Sequence, residues 1–200
     1  SYERSLTEGV SILYMASMFY GYPLYVYFNF SGYCDVVIAM GRWAGFKIPE
    51  NFNKPYISRD MIEMWNRWHI TLSQLVRDYL FQPLLKFLIS GPLSGYVRTS
   101  QYISIFITFF LVGIWHGTTI NFVVFGLLQG LGMAVSMIYR DQGIRQLGKI
   151  KYKMYYDNKW VANIERFFCL HFWCFTFLFF EYDIFKMTGW LFKLLGGAYG

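Results

Sequence analysis

Residues 99–139 read TSQYISIFITFFLVGIWHGTTINFVVFGLLQGLGMAVSMIY, 41 residues without an Asp, Glu, Lys or Arg, closed by Arg98 and Arg140. As one helix they would extend roughly 60 Å at 1.5 Å per residue, about twice the hydrocarbon thickness of a bilayer. Two membrane crossings, 99–115 and 117–139, meeting at Gly113-Ile114-Trp115-His116-Gly117, satisfy that length. No polar loop separates them, so the connection is expected inside protein, where other groups satisfy its backbone.

The rest of the chain follows the same pattern. Of 200 residues, 56% are hydrophobic, 22% aromatic and only 15% charged, against about 25% charged in soluble domains. The net charge of +6 sits in clusters between apolar runs, which argues against a nucleic-acid surface. Three cysteines, an odd number in apolar surroundings, argue against a secreted disulfide framework. Residues 9–34 contain no charge and hold a span over 9–30, with Pro23 as a kink. Residues 167–180 are a shorter charge-free run, and snorkelling by Arg166 and Lys186 extends it to a span over 166–186. The expected fold is all-α, a multi-spanning transmembrane bundle with interfacial or re-entrant helices. Neither a signal segment nor an initiator Met opens the sequence, which reads as a portion of a longer protein.

Residues 42–78 differ. They carry ten of the thirty charges and yet are threaded with Trp43, Phe46, Phe52, Tyr56, Trp65 and Trp68. Pro49 and Pro55 exclude helix before Ser58. With Ser58 as N-cap, a helix over 58–80 places Met61, Trp65, Trp68, Leu72, Leu75 and Tyr79 on one stripe, and is expected at the membrane interface. Residues 140–159 carry six basic and two acidic residues, so 140–160 is expected as a basic cytoplasmic loop.

Three histidines are candidates for chemistry. His116 lies inside the uncharged run, where an ionisable residue is expensive and marks function by default. Low dielectric favours its neutral imidazole, the form of a general base. The plainer alternative is a histidine bonding two helices together. His69 follows Trp65-Asn66-Arg67-Trp68, and helical spacing puts Asn66, His69 and Ser73 on one face that could orient a carbonyl or hydroxyl. Its plainer reading is an interfacial histidine beside aromatics. His171, among Phe168, Phe172 and Trp173, reads as packed between helices. The intervals of 47 and 55 residues between them fit no metal-ligand spacing, so no metal is expected. Neither a nucleophile elbow nor a glycine-rich phosphate loop is present. Asp35 needs a partner after its uncharged run, and an ion pair with Arg42, Arg59, Arg67 or Arg77 is expected. Gly126, Gly130 and Ala134 recur every four residues as a packing face.

Five motifs, in order, carry a resemblance: Phe30-Ser31-Gly32-Tyr33-Cys34-Asp35; Pro49-Glu50-Asn51-Phe52-Asn53-Lys54-Pro55-Tyr56; Trp65-Asn66-Arg67-Trp68-His69-Ile70-Thr71-Leu72-Ser73; Arg77-Asp78-Tyr79; and Gly113-Ile114-Trp115-His116-Gly117. The chain resembles the membrane-bound O-acyltransferase (MBOAT) family, most closely its bacterial branch of alginate O-acetyltransferases and teichoic-acid D-alanyl transfer proteins, and looks like the C-terminal half. The resemblance implies moving an acetyl, D-alanyl or similar group from a thioester donor to a hydroxyl of a cell-envelope polysaccharide or polymer. The reaction class expected within that is O-acyl transfer of groups other than amino-acyl or D-alanyl ones. His116 would be catalytic and His69 the second catalytic residue, with Asn66, Trp65, Trp68, Ser73 and Trp115 supporting the site and Asp35 paired to Arg67 or Arg77. No bound cofactor is implied; an acyl carrier protein or coenzyme A thioester would be the co-substrate. A periplasmic or extracellular acyl-transfer partner and the bacterial cytoplasmic membrane complete the expectation. Met64 replaces the family's usual phenylalanine, and 82–95 lack the Gly-Gly-Asn-Arg-like loop of alginate-type relatives, which counts against alginate. A transporter or channel portion, with His116 and Asp35 lining a polar pathway, is the alternative from another class, and an idle assembly subunit is a third.

Overall fold

The computed structural model describes residues 16–182. Among them the chain forms helices and turns and no strand. A π-helical turn, Ser17–Gly21, leads into α1, Tyr22–Trp43. Extended chain and a 3₁₀ turn, Pro55–Ile57, precede α2, Met61–Arg67, and α3, Ile70–Val76. A second π-helical turn, Arg77–Phe81, continues into α4, Gln82–Ser90. The long helices follow: α5, Val97–His116; α6, Ile120–Tyr156; and α7, Lys159–Glu181. The expected spans 9–30 and 166–186 begin and end, respectively, outside the described residues.

Two of these helices, α5 and α6, are long and apolar enough to cross a membrane. Their junction is the short one the charge-free run requires. The α5 helix ends at His116, and α6 starts at Ile120 after three connecting residues, with the Gly117 amide bonded back to Ile114 O. The two helices cross closely because Gly113 meets Gly126: a Cβ on Gly126 would lie 2.3 Å from Phe109 O, and one on Gly113 would lie 2.4 Å from Phe122 O. Of the expected packing face, Gly126 faces backbone, Gly130 faces Phe106, and Ala134 is buried.

The stretch 58–80 is two helices rather than one. Asp60, not Ser58, caps the first: its Oδ1 accepts from Glu63 N at 2.8 Å, while Glu63 Oε2 accepts from Arg59 N at 2.9 Å. Ser58 is buried and donates to Pro55 O. The helix breaks at Trp68–His69, where His69 takes a left-handed backbone (φ 44, ψ 56). The broken ends find partners in the preceding loop: Asn53 N donates to Arg67 O, and Ile70 N donates to Asn51 O, both at 2.9 Å. Tertiary pairing thus overrides a continuous helical pattern. The predicted stripe holds through Met61, Trp65 and Trp68, which are buried, and fails beyond the break, where Leu75 and Tyr79 are exposed.

The core is the meeting of α2 with α5, α6 and α7. Met61, Met64, Trp65 and Trp68 pack with Ile105, Phe109, Phe125, Cys169, Trp173 and Phe177. Residues 140–156, expected as a loop, continue α6 as helix to a reversal at Gly148 (φ 76, ψ 158). There the chain doubles back so far that Gly143 faces the Tyr152 ring. Nine residues of straight helix would separate them by roughly 13 Å. Glycine alone adopts such a φ and ψ without strain.

The expected Asp35 ion pair is not formed. Asp35 is exposed on α1 and joins no ion pair among the described residues. Arg67 instead pairs with Glu63 one turn earlier at 2.7 Å, and Arg77 with adjacent Asp78 at 2.8 Å. Arg59 pairs with Glu165 on α7, Arg42 with Glu50, and Arg140 on α6 with Asp60. Nearer carboxylates satisfy every arginine proposed for Asp35.

Candidate active site

His116 closes α5 with its ring half-buried among aromatic side chains. Trp115 and Phe180 meet it edge-on at 4.8 and 5.0 Å between centroids, Phe125 edge-on at 6.1 Å, and Phe122 stacks at 6.3 Å. No hydrogen bond holds either ring nitrogen among the described residues. Among the described residues the plainer alternative, a histidine tying helices together, finds no such bond. Trp115 itself is 65% exposed. The neighbouring connection is secured by Asn121 Nδ2, which donates to Tyr182 O at 2.7 Å.

His69 sits at the helix break, pinned by a different set of residues. Phe30 of α1 meets its ring edge-on at 4.7 Å. Its Nδ1 lies 3.1 Å from Asn51 Oδ1. Burial, and secondarily the His116 imidazole, hold the His69 pKa down to about 4, so the ring is neutral near pH 7.

Other expected site residues gather elsewhere. Trp65, Asn66 and Ser73 line a cavity of about 510 Å³ with Ile105, Thr108 and Phe109. Neither His69 nor His116 lines it. Helical spacing put Asn66, His69 and Ser73 on one face; the left-handed turn at His69 separates them, so His69 points to the Asn51 loop. Ser73 Oγ donates to Trp68 O. Trp68 is core, edge-on to Trp173 at 5.2 Å. His171 is packed as expected, Nε2 to Tyr20 OH and Nδ1 to Phe167 O, each at 2.7 Å.

Sequence reasoning passed over two residues. Gln129 is fully buried, accepting from Trp65 Nε1 at 3.0 Å and donating to Thr176 Oγ1 at 2.8 Å. An amide in the middle of a charge-free run was the available signal. Asn51 was quoted only within a motif, and its role depends on a loop contact that spacing does not encode.

The profile of the MBOAT, membrane-bound O-acyltransferase family, matches residues 2–181. The chain belongs to the membrane-bound O-acyltransferase family. Among curated relatives, a teichoic acid D-alanyltransferase of Bacillus subtilis is 32% identical over 174 residues, 86% of this chain and 41% of that protein. A probable alginate O-acetylase of Pseudomonas fluorescens is 42% identical over 114 residues, 57% of this chain and 22% of that one. A peptidoglycan O-acetyltransferase of Helicobacter pylori is 38% identical over 129 residues, 63% and 22% respectively. The chain spans less than half the length of these relatives. They correct one expectation. A restriction to groups other than amino-acyl or D-alanyl ones does not stand, because a D-alanyltransferase matches this MBOAT chain along most of its length.

Proposed function

We propose that this chain is the histidine-bearing part of a multi-spanning membrane O-acyltransferase that acylates a cell-envelope polymer. The observation that carries the reading is His116, at the end of a membrane-length helix, its ring half-buried among Trp115, Phe122, Phe125 and Phe180 with no hydrogen bond to either nitrogen among the described residues. A hydroxyl is a poor nucleophile near neutral pH. A neutral imidazole within reach takes its proton as the oxygen attacks the thioester carbonyl, and the thiol leaves with the carrier. The aromatic surround of His116 limits water, which would otherwise hydrolyse the thioester.

On this reading the donor is an acyl carrier protein or coenzyme A thioester and the acceptor a polysaccharide or polymer hydroxyl. An acetyl or D-alanyl group is moved across the bacterial cytoplasmic membrane. Basic residues over 140–160 set the cytoplasmic side. Trp65, Asn66 and Ser73, lining their own cavity, hold parts of a substrate rather than the reacting atoms.

The test is transfer from a labelled thioester donor by the full-length protein in vesicles. His116→Ala should lower transfer by about 10²-fold or more, the usual scale for a general base, with membrane insertion unchanged. Wild-type rates from an inserted, folded His116→Ala protein would overturn the assignment.

A further inference from the structure

Asn51 stands in the loop between α1 and α2, and its side-chain amide and backbone carbonyl make five contacts. Its Oδ1 accepts from Thr71 N at 3.1 Å and from Thr71 Oγ1 at 3.0 Å, and faces His69 Nδ1 at 3.1 Å. Its backbone oxygen accepts from Ile70 N. Its Nδ2 points the other way, toward Cys34 Sγ at 3.5 Å.

The backbone N–H of Thr71 can only donate, so the atom it meets is the amide oxygen. That fixes which way the Asn51 amide faces. A ring nitrogen set against the same oxygen must carry the hydrogen, because two acceptors do not bond. We infer that Asn51 is a positioning residue that locks His69 in its Nδ1–H tautomer and so presents a bare Nε2 lone pair to the site. The inference rests on the acyltransferase reading for its consequence, but the tautomer itself does not.

The consequence is a division of labour. Neutral His69 with Nδ1 occupied can only accept at Nε2, so it cannot donate to the developing oxyanion. The atom it meets on the acceptor is a hydrogen-bond donor, and His69 orients the alcohol for His116. The left-handed backbone of His69 belongs to the same device. A non-glycine residue is held there only where surrounding contacts over-determine it, and Asn51 supplies contacts to the two residues that follow. The titratable groups near His69 are His116 on α5 and, behind Asn51, Cys34 on α1; no carboxylate pairs with its ring among the described residues.

The experiment is ¹⁵N-histidine NMR of the full-length protein in nanodiscs at pH 7, with His69→Gln identifying the signal. The expected wild-type signal is a protonated Nδ1 and a bare Nε2. Asn51→Ala should shift it toward the Nε2–H form, and kcat should fall about tenfold or more with the donor KM within about twofold. Asn51→Asp keeps the oxygen that Thr71 N needs, so the fold and tautomer persist. Its carboxylate favours the imidazolium, moving the acid limb of the kcat profile upward by about one pH unit. An Nε2–H signal in wild type, an Asn51→Ala signal like wild type, or an unmoved limb in Asn51→Asp would each overturn the inference. Retained transfer in His116→Ala with the tautomer as expected would overturn the acyltransferase reading alone.

Discussion

Gln129 takes the indole hydrogen of Trp65 at 3.0 Å in full burial and passes its own amide hydrogen to Thr176 at 2.8 Å, joining α2, α6 and α7 by one side chain. Thr176 Oγ1 in turn donates to Trp173 O. Gln129→Leu keeps the volume and orphans the Trp65 N–H, which costs about 1–3 kcal/mol when buried. The melting temperature in detergent should drop, and transfer should drop with it, since Trp65 lines the cavity beside Asn66. An unchanged melting temperature would remove Gln129 from the account of the core.

The α5–α6 crossing yields a second expectation. A methyl on Gly126 meets Phe109 O at 2.3 Å, a backbone atom that moves only with its helix. Gly126→Ala therefore forces α5 and α6 apart beside the turn bearing His116, at about 1–3 kcal/mol for overpacking. Gly32→Ala is the control, because nothing lies within 4 Å of its added methyl. Thermal denaturation of the two variants should separate them clearly; equal melting temperatures would mean that the crossing is looser than the geometry shows.

Much of this was legible in the residues themselves. Forty-one uncharged residues with a glycine pair in the middle forced a tight helical junction, and His116 stands at it. Helical spacing found the buried faces of Met61, Trp65 and Trp68. Where reading failed, the deciding forces were not local. His69 looked like one residue of a continuous helix, because nothing nearby announces that Asn51 and Asn53 will bond the two broken ends. Asp35 looked in need of an arginine, but each arginine lay closer to another carboxylate. A basic, polar composition over 140–156 suggested loop, although lysine and arginine are good helix formers and only Gly148 interrupts the helix.

Arg59 and Glu165 provide a test of the joint between α2 and α7. Both side chains are nearly buried, at 11% and 12% exposure. Arg59 also lies 3.4 Å over the Tyr156 ring, and Glu165 accepts from Tyr139 OH at 3.2 Å. Removing one partner leaves the other charge uncompensated, at about 3–5 kcal/mol. Arg59→Met and Glu165→Gln should each destabilise strongly, while the double variant loses less than the sum of the two. Strict additivity in denaturation would show that the pair contributes no coupling.

The depressed pKa of His69 sets a pH dependence with a definite sign. An unfolded imidazole titrates near 6.5, the folded one at about 4, chiefly because burial disfavours its charged form. Above pH 6.5 both states are neutral and stability is complete. As the pH falls from 6.5 toward 4, the unfolded chain takes up a proton that the folded ring refuses, so stability declines and then levels off below 4. Solvent reaching the half-buried ring screens part of this effect, so the loss is smaller than the full shift would imply. His69→Gln removes this contribution, so its melting temperature should fall less steeply than wild type between pH 6.5 and 4. The Asn51 and His116 side chains remain in place in that variant, which confines the difference to one ring. Parallel curves for the two proteins would mean that His69 titrates in the folded protein as it does in water, and that its burial beside Phe30 and Asn51 is not maintained.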